Sequence, residues 1–143
     1  MPEINEEWEN PSDADLKRML EDVKTIAVVG ISRNPEKPSH HVAKYLQEKG
    51  YRVIPVNPAI DTVLGEKAYS DLSAVPETID MVDLFRPSEA VPPFVDAAIL
   101  AKAKVVWMQE GIVNAAAAAK AEQNGLTVVM DRCLMVEHAR LLG

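Results

Sequence analysis

The sequence predicts an α/β fold in one domain, and two patterns along the chain carry that reading. Five short β-branched runs, TIAVVG, YRVIPVN, MVDLF, KVVWMQ and LTVVMD, alternate with segments of helical period. Strands separated by helices imply a parallel sheet covered on both faces. The punctuation agrees, since Gly50 and Gly125 stand where helix C-termini need a left-handed residue. Ser39, Ser88 and Asn114 stand where N-caps belong.

Taken in order, residues 1–11 are acidic and polar, are bounded by Pro11, and read as an arm. Ser12 followed by Asp15 forms a capping pair for a peripheral helix over 12–23. The first strand, TIAVVG, breaks at Gly30 into the polar loop ISRNPEKP before the helix SHHVAKYLQEKG. After the second strand, DTVLGEKAYSDLSAVPET has no long amphipathic helix, and only DLSAV suits a single short turn, so this crossover is expected to be irregular. The third strand, MVDLF, leads to the helix SEAVPPFVDAAILAK, and the fourth brings Trp107 and Met108 into the core. NAAAAAKAEQNG is a helix by intrinsic propensity, LTVVMD is the fifth strand, and a last helix closes the chain. Together these elements predict a Rossmann-like three-layer sandwich with a five-stranded parallel sheet in the order 3-2-1-4-5. The flavodoxin-like order 2-1-3-4-5 stands second.

Composition bounds the function. A chain of 143 residues, 48% of them apolar, suffices for one full core. The formal net charge of -7 argues against broad binding to nucleic acid or to an anionic membrane. No apolar run approaches the roughly 20 residues needed to cross a bilayer. A single cysteine makes no intramolecular disulfide, and MPEINEEWEN lacks the basic start and apolar core of a secretion signal, so a cytoplasmic location is expected.

In a parallel α/β sheet the ligand crevice lies at the C-terminal strand ends, where a helix N-terminus and exposed N–H groups hold phosphate. Gly30, Ser32 and Arg33 follow the first strand, Asn57 and Pro58 the second, Phe85 and Arg86 the third. Gln109 and Gly111 follow the fourth, and Asp131, Arg132 and Cys133 the fifth. Arg33, Lys37, Arg86 and Arg132 set four positive charges on this edge against Glu36, Glu110 and Asp131, a locally basic rim on an acidic chain.

A phosphorylated ligand follows, and its class is narrowed by what the motif lacks. An NAD site uses Gly-x-Gly-x-x-Gly and an acidic residue after the second strand. Here the turn, Gly30-Ile31-Ser32-Arg33-Asn34-Pro35, has one glycine, and the second strand ends in Val56-Asn57-Pro58. With Lys37 close by, the missing acid suits a ribose that carries an extra phosphate, as in NADP or coenzyme A. The loop also departs from the P-loop spacing.

The runs VVGISRNPEKPSHHVAKYL, GYRVIPVNP, VDLFRP, VWMQEGI and VVMDRCLMVEH together resemble the small single-domain CoA-binding proteins. Those are similar to the CoA-binding N-terminal domain of the succinyl-CoA synthetase α subunit. The resemblance spans roughly residues 15–143 in unbroken order. It implies a Rossmann-like domain that binds coenzyme A or an acyl-CoA. Gly30, Ile31, Ser32 and Arg33 would lie over the phosphates, with Lys37 and Pro38 beside them. Val56, Asn57 and Pro58 would line the nucleotide side, Phe85 and Arg86 would flank the ligand, and Gln109, Gly111 and Ile112 would form the neighbouring wall.

Catalysis does not transfer with the resemblance. The synthetase carries its phosphoryl group on a histidine in a separate domain. Here His40 and His41 fall in the first turn of a helix, and His138 lies near the C-terminus. No nucleophile stands beside an evident base, and adjacent histidines do not share a helix face for a metal. The expectation is a non-catalytic binding module for a small nucleotide ligand, with no metal and no protein partner assigned. Two other classes stand beside it: an NADP-dependent enzyme of atypical fingerprint, and a thiol redox protein in which Cys133 exchanges with the CoA thiol or senses oxidation.

Overall fold

A computed structural model describes residues 8–143, so residues 1–7 of the expected arm lie outside the described residues. Five parallel strands form the sheet: β1 (Thr25–Val29), β2 (Arg52–Val56), β5 (Met81–Leu84), β6 (Val105–Met108) and β7 (Thr127–Val129). Between β2 and β5 the chain makes a small antiparallel pair, β3 (Thr62–Val63) and β4 (Glu66–Lys67), and a 3-10 turn over Leu72–Ala74. That turn is the DLSAV segment, with the Asp71 carboxylate accepting from the Ala74 N–H. The helices are α1 (Asp13–Asp22), α2 (Pro38–Glu48), α3 (Val91–Leu100), α4 (Ala115–Gln123) and α5 (Leu134–Leu141).

The spatial order is β2-β1-β5-β6-β7. Counted over the five long strands this is 2-1-3-4-5, which corrects the expected 3-2-1-4-5. The reason lies at β2, which carries Pro55 and is an edge strand. Proline lacks the N–H that an inner strand must donate on both sides. The outer flank of β2 is taken instead by its own crossover: Tyr69 donates to the Pro55 carbonyl, and Asn57 donates to the Tyr69 carbonyl. With that side closed, β5 pairs with the free side of β1. Asp80, just ahead of β5, holds the register by accepting from the N–H groups of Lys24 and Thr25.

Each face of the sheet packs a helical layer. On one side Leu16 and Leu20 of α1, Val42 and Leu46 of α2 and Leu134 of α5 cover Ile26, Val28, Met81 and Trp107. On the other, Val91 and Val95 of α3 and Ala117, Ala118 and Ala121 of α4 cover Ala27, Val82, Leu84, Val106 and Met108. The alanines let α4 lie close to the sheet. Large apolar side chains buried this way contribute about 1.5–3 kcal/mol each.

The cap signals divide. Ser12 and Asn114 accept from the N–H groups three residues on, as expected. Ser39 is not an N-cap, because Pro38 starts α2 one residue earlier with its backbone already set. Its buried hydroxyl accepts from the Ser32 N–H. Ser88 is not a cap for α3 either: it opens a 3-10 turn, and its hydroxyl accepts from the Val113 N–H.

At the far edge of the sheet, the Asn10 side chain both donates to the Met130 carbonyl and accepts from the Met130 N–H. Loss of both bonds in Asn10→Ala is expected to cost about 1–3 kcal/mol, at roughly 1 kcal/mol per bond, read as a lower urea midpoint with an unchanged slope.

Candidate functional site

The β1–α2 loop is built to hold its backbone open. Gly30 takes φ +84°, and a Cβ there would meet the Phe85 carbonyl oxygen at 2.5 Å. Only glycine brings the β1 and β5 strand ends so close. The loop then braces itself: the Ser32 hydroxyl accepts from Asn34 N–H, the Asn34 side chain accepts from Glu36 N–H, and Asn57 donates to the Ile31 carbonyl. The N–H groups of Ile31 and Arg33 have no partner among the described residues. Two free donors in a fixed loop before a helix are suited to a phosphate oxygen.

Two hollows open beside this loop. The first, of about 350 Å³, is lined by Gly30, Val56, Asn57, Pro58 and Arg86, together with Ala59, Ser70 and Phe94. The second, of about 390 Å³, is lined by Pro38, Phe85, Arg86, Gln109 and Ile112, together with Val42, Pro87, Glu110 and Cys133. Arg86 stands on the wall of both. Ser32, Arg33, Lys37 and Gly111 lie outside the two linings.

Several expected roles change. The Ile31 side chain is fully buried in the core, which leaves only its backbone to face a ligand. The Gly111 N–H donates to Asp131 at 2.7 Å, which pins the loop after β6 rather than offering a donor. Asp131 holds φ +58°, an uncommon conformation for a residue with a side chain. Gln109 is only 4% exposed and accepts from the Leu134 N–H, so it ties the second hollow to the start of α5.

The expected rim of four cations becomes three. Arg132 lies 3.6 Å from the buried Glu137 carboxylate and donates to the Asp131 carbonyl. A buried carboxylate requires such partners, and α5 carries Glu137 back to that position. Arg33, Lys37 and Arg86 have no ion pair among the described residues, so their charges stay free for an anion.

The histidines separate. His40 Nδ1 lies 2.9 Å from the Ser32 carbonyl, a contact in which the ring donates and turns Nε2 away. His41 is exposed on α2. His138 is packed edge-on against Tyr45 and Tyr51, and burial, with Lys49 nearby, holds its pKa below the usual value. Asp83, which the sequence reading passed over, is fully buried in β5 with neither oxygen hydrogen-bonded. Desolvation pushes its carboxyl well above the ordinary range. It shares a face with Phe85, two residues further from the C-terminal strand end.

Phe94, Ser70, Val42 and Cys133 join the linings from elements distant in sequence. No group of three metal-ligating side chains occurs among the described residues, and no described helix is long and apolar enough to cross a membrane.

A family model described as a CoA binding domain matches residues 24–139. The Bacillus subtilis (strain 168) uncharacterized protein YneT is 45% identical over 131 residues, covering 92% of this chain and 97% of that protein. The structure of a hypothetical protein from Pyrococcus horikoshii OT3 superposes with a TM-score of 0.91 at 43% identity, over 97% of this chain and all of that one. The apo form of a dinucleotide-forming acetyl-coenzyme A synthetase from Ca. Korarchaeum cryptofilum superposes at 0.69 with 30% identity. There, 80% of this chain covers 27% of the synthetase chain.

Proposed function

We propose that this chain, which belongs to the CoA binding domain family, holds coenzyme A or an acyl-CoA across the two hollows and does no chemistry of its own on it. The observation that carries this reading is the β1–α2 loop, where two N–H groups stand with Arg33, Lys37 and Arg86, none of them partnered among the described residues. The diphosphate sits over Ile31 and Arg33, where backbone dipoles and cations act together. Arg33 and Lys37 take the phosphate on the ribose, since Asn57 replaces the acid that would favour an unmodified ribose. Val56, Pro58 and Phe94 give the first hollow apolar walls for a base. Arg86 then directs the sulfur-bearing arm into the second hollow.

The related synthetase is several times longer than this chain, and a shared fold carries no activity across. The residues at this site bind and orient. None forms a nucleophile and base pair.

Calorimetric titration of the reduced protein with CoA, dephospho-CoA, NADP and NAD at one salt concentration tests the reading. Saturable CoA binding that weakens without the 3′-phosphate is expected. Arg33→Ala and Lys37→Ala should each weaken CoA by about 10- to 100-fold, the range for a lost charge-assisted hydrogen bond, with little loss for dephospho-CoA. Arg86→Ala should weaken both. Binding of NADP without CoA would overturn the assignment.

A further inference from the structure

The second hollow holds a hydrogen-bond donor that nucleotide binding leaves unused. Gln109 lines it from just beyond β6 and is only 4% exposed. Its backbone is fixed on both sides, the N–H donating to the Leu84 carbonyl and the carbonyl accepting from the Ile112 N–H. The Leu134 N–H can only donate, so the Gln109 side-chain oxygen faces it, at 3.3 Å, and the amide is oriented by that bond. The amide nitrogen is left with no partner among the described residues. It is nevertheless not sealed off: the unpaired side-chain atoms wholly enclosed there are the Asp83 oxygens alone, so this nitrogen keeps accessible surface where Gln109 lines the hollow. A nearly buried amide with both N–H donors unused calls for an acceptor from outside the chain. Around it stand apolar walls from Val42, Phe85, Pro87 and Ile112, and the two charged residues of the lining, Arg86 and Glu110, oppose each other in sign.

Resting on the binding reading above, we infer that the second hollow is an acyl site, in which the Gln109 amide donates to the thioester carbonyl oxygen of a CoA thioester that carries a short uncharged acyl group. The thiol of free CoA leaves this donor poorly served, because sulfur is a weak acceptor whereas a carbonyl oxygen offers two lone pairs. The apolar walls take the acyl carbons, whose removal from water favours binding. An acyl group that ends in a carboxylate meets no surplus positive charge, since Glu110 offsets Arg86. Gln109 thus sets the preference for thioester over thiol. It binds and orients, and no bond of the ligand is made or broken.

Calorimetric titration of the wild-type protein with CoA, S-ethyl-CoA, acetyl-CoA, butyryl-CoA and succinyl-CoA tests this. Acetyl-CoA is expected to bind at least about tenfold tighter than CoA, which corresponds to about 1.4 kcal/mol. It should also outbind S-ethyl-CoA, which matches it in carbon count and lacks the carbonyl. Succinyl-CoA, with a carboxylate where butyryl-CoA has a methyl group, should bind more weakly than butyryl-CoA. In Gln109→Met the ratio of acetyl-CoA to S-ethyl-CoA affinity should fall to near one, a change that general loosening of the site would not produce. Equal binding of CoA and acetyl-CoA, S-ethyl-CoA as tight as acetyl-CoA, succinyl-CoA the tightest, or an unchanged ratio in the variant would overturn the inference. Should the variant not fold, the wild-type comparisons decide. CoA binding with no advantage for the thioesters sinks the acyl site alone, whereas no binding of CoA or any thioester sinks the binding reading with it.

Discussion

Asp83→Val is expected to stabilise the fold by about 1–3 kcal/mol, the usual cost of burying a polar group without a hydrogen bond. The residue lies between Val28 of β1 and Trp107 of β6 in the sheet register, is fully buried, and has no partner for either oxygen. Valine has a similar volume and suits a strand, so the replacement opens no sizeable cavity. The pH dependence has a definite sign. Desolvation raises the folded-state pKa above the unfolded value, so the unfolded chain loses its proton first. The contribution of Asp83 is therefore fullest below about pH 4, the unfolded carboxylate range, and is lost as pH rises toward the raised folded value. Urea unfolding at mildly acidic and mildly alkaline pH should show the variant's advantage widening with pH. A destabilised variant would mean that the carboxyl has a structural partner.

The second large effect is expected at Gly30→Ala, which should destabilise the protein on the order of 3 kcal/mol and abolish measurable CoA binding. Two costs add. The φ of +84° is strained for any side chain, and the new Cβ would press on the Phe85 carbonyl, a backbone atom that cannot swing aside. Relief requires β1 and β5 to separate at their C-terminal ends, where Arg86 and the free loop donors converge. Thermal unfolding with a parallel CoA titration checks both parts. A variant of native stability and full affinity would show that the loop end is more compliant than its geometry implies.

Features set by neighbours in sequence were legible from the sequence. The five long strands, the caps at Ser12 and Asn114 and the short turn in DLSAV all rest on side chains within a few residues. Strand order was not legible in the same way, because it depends on which edge of β1 remains free once the second crossover has folded. One local signal did point to it: Pro55 marks β2 as an edge, and an edge strand cannot lie between two others. The basic rim was legible as charge but not as availability, since Arg132 is turned aside by Glu137 only after α5 docks. Phe94, Ser70 and Val42 reach the hollows through tertiary placement, and no spacing in the chain announces them. Asp83 was readable as a carboxylate inside an apolar strand, the inconsistency that most often marks something other than packing.

The closed flanks of the sheet bear on how copies of this chain meet one another. A bare strand edge is a template on which a second molecule can add its own strand, the first step toward runaway association. Here one margin, β2, is covered by its own returning chain at Tyr69 and carries a proline that cannot donate outward. The opposite margin, β7, is three residues long, and the Asn10 amide takes up the donor and acceptor of Met130 just beyond it. Strand addition is thus obstructed at both ends of the sheet, and encounters between molecules fall to side-chain surfaces, whose formal net charge of -7 per chain opposes approach.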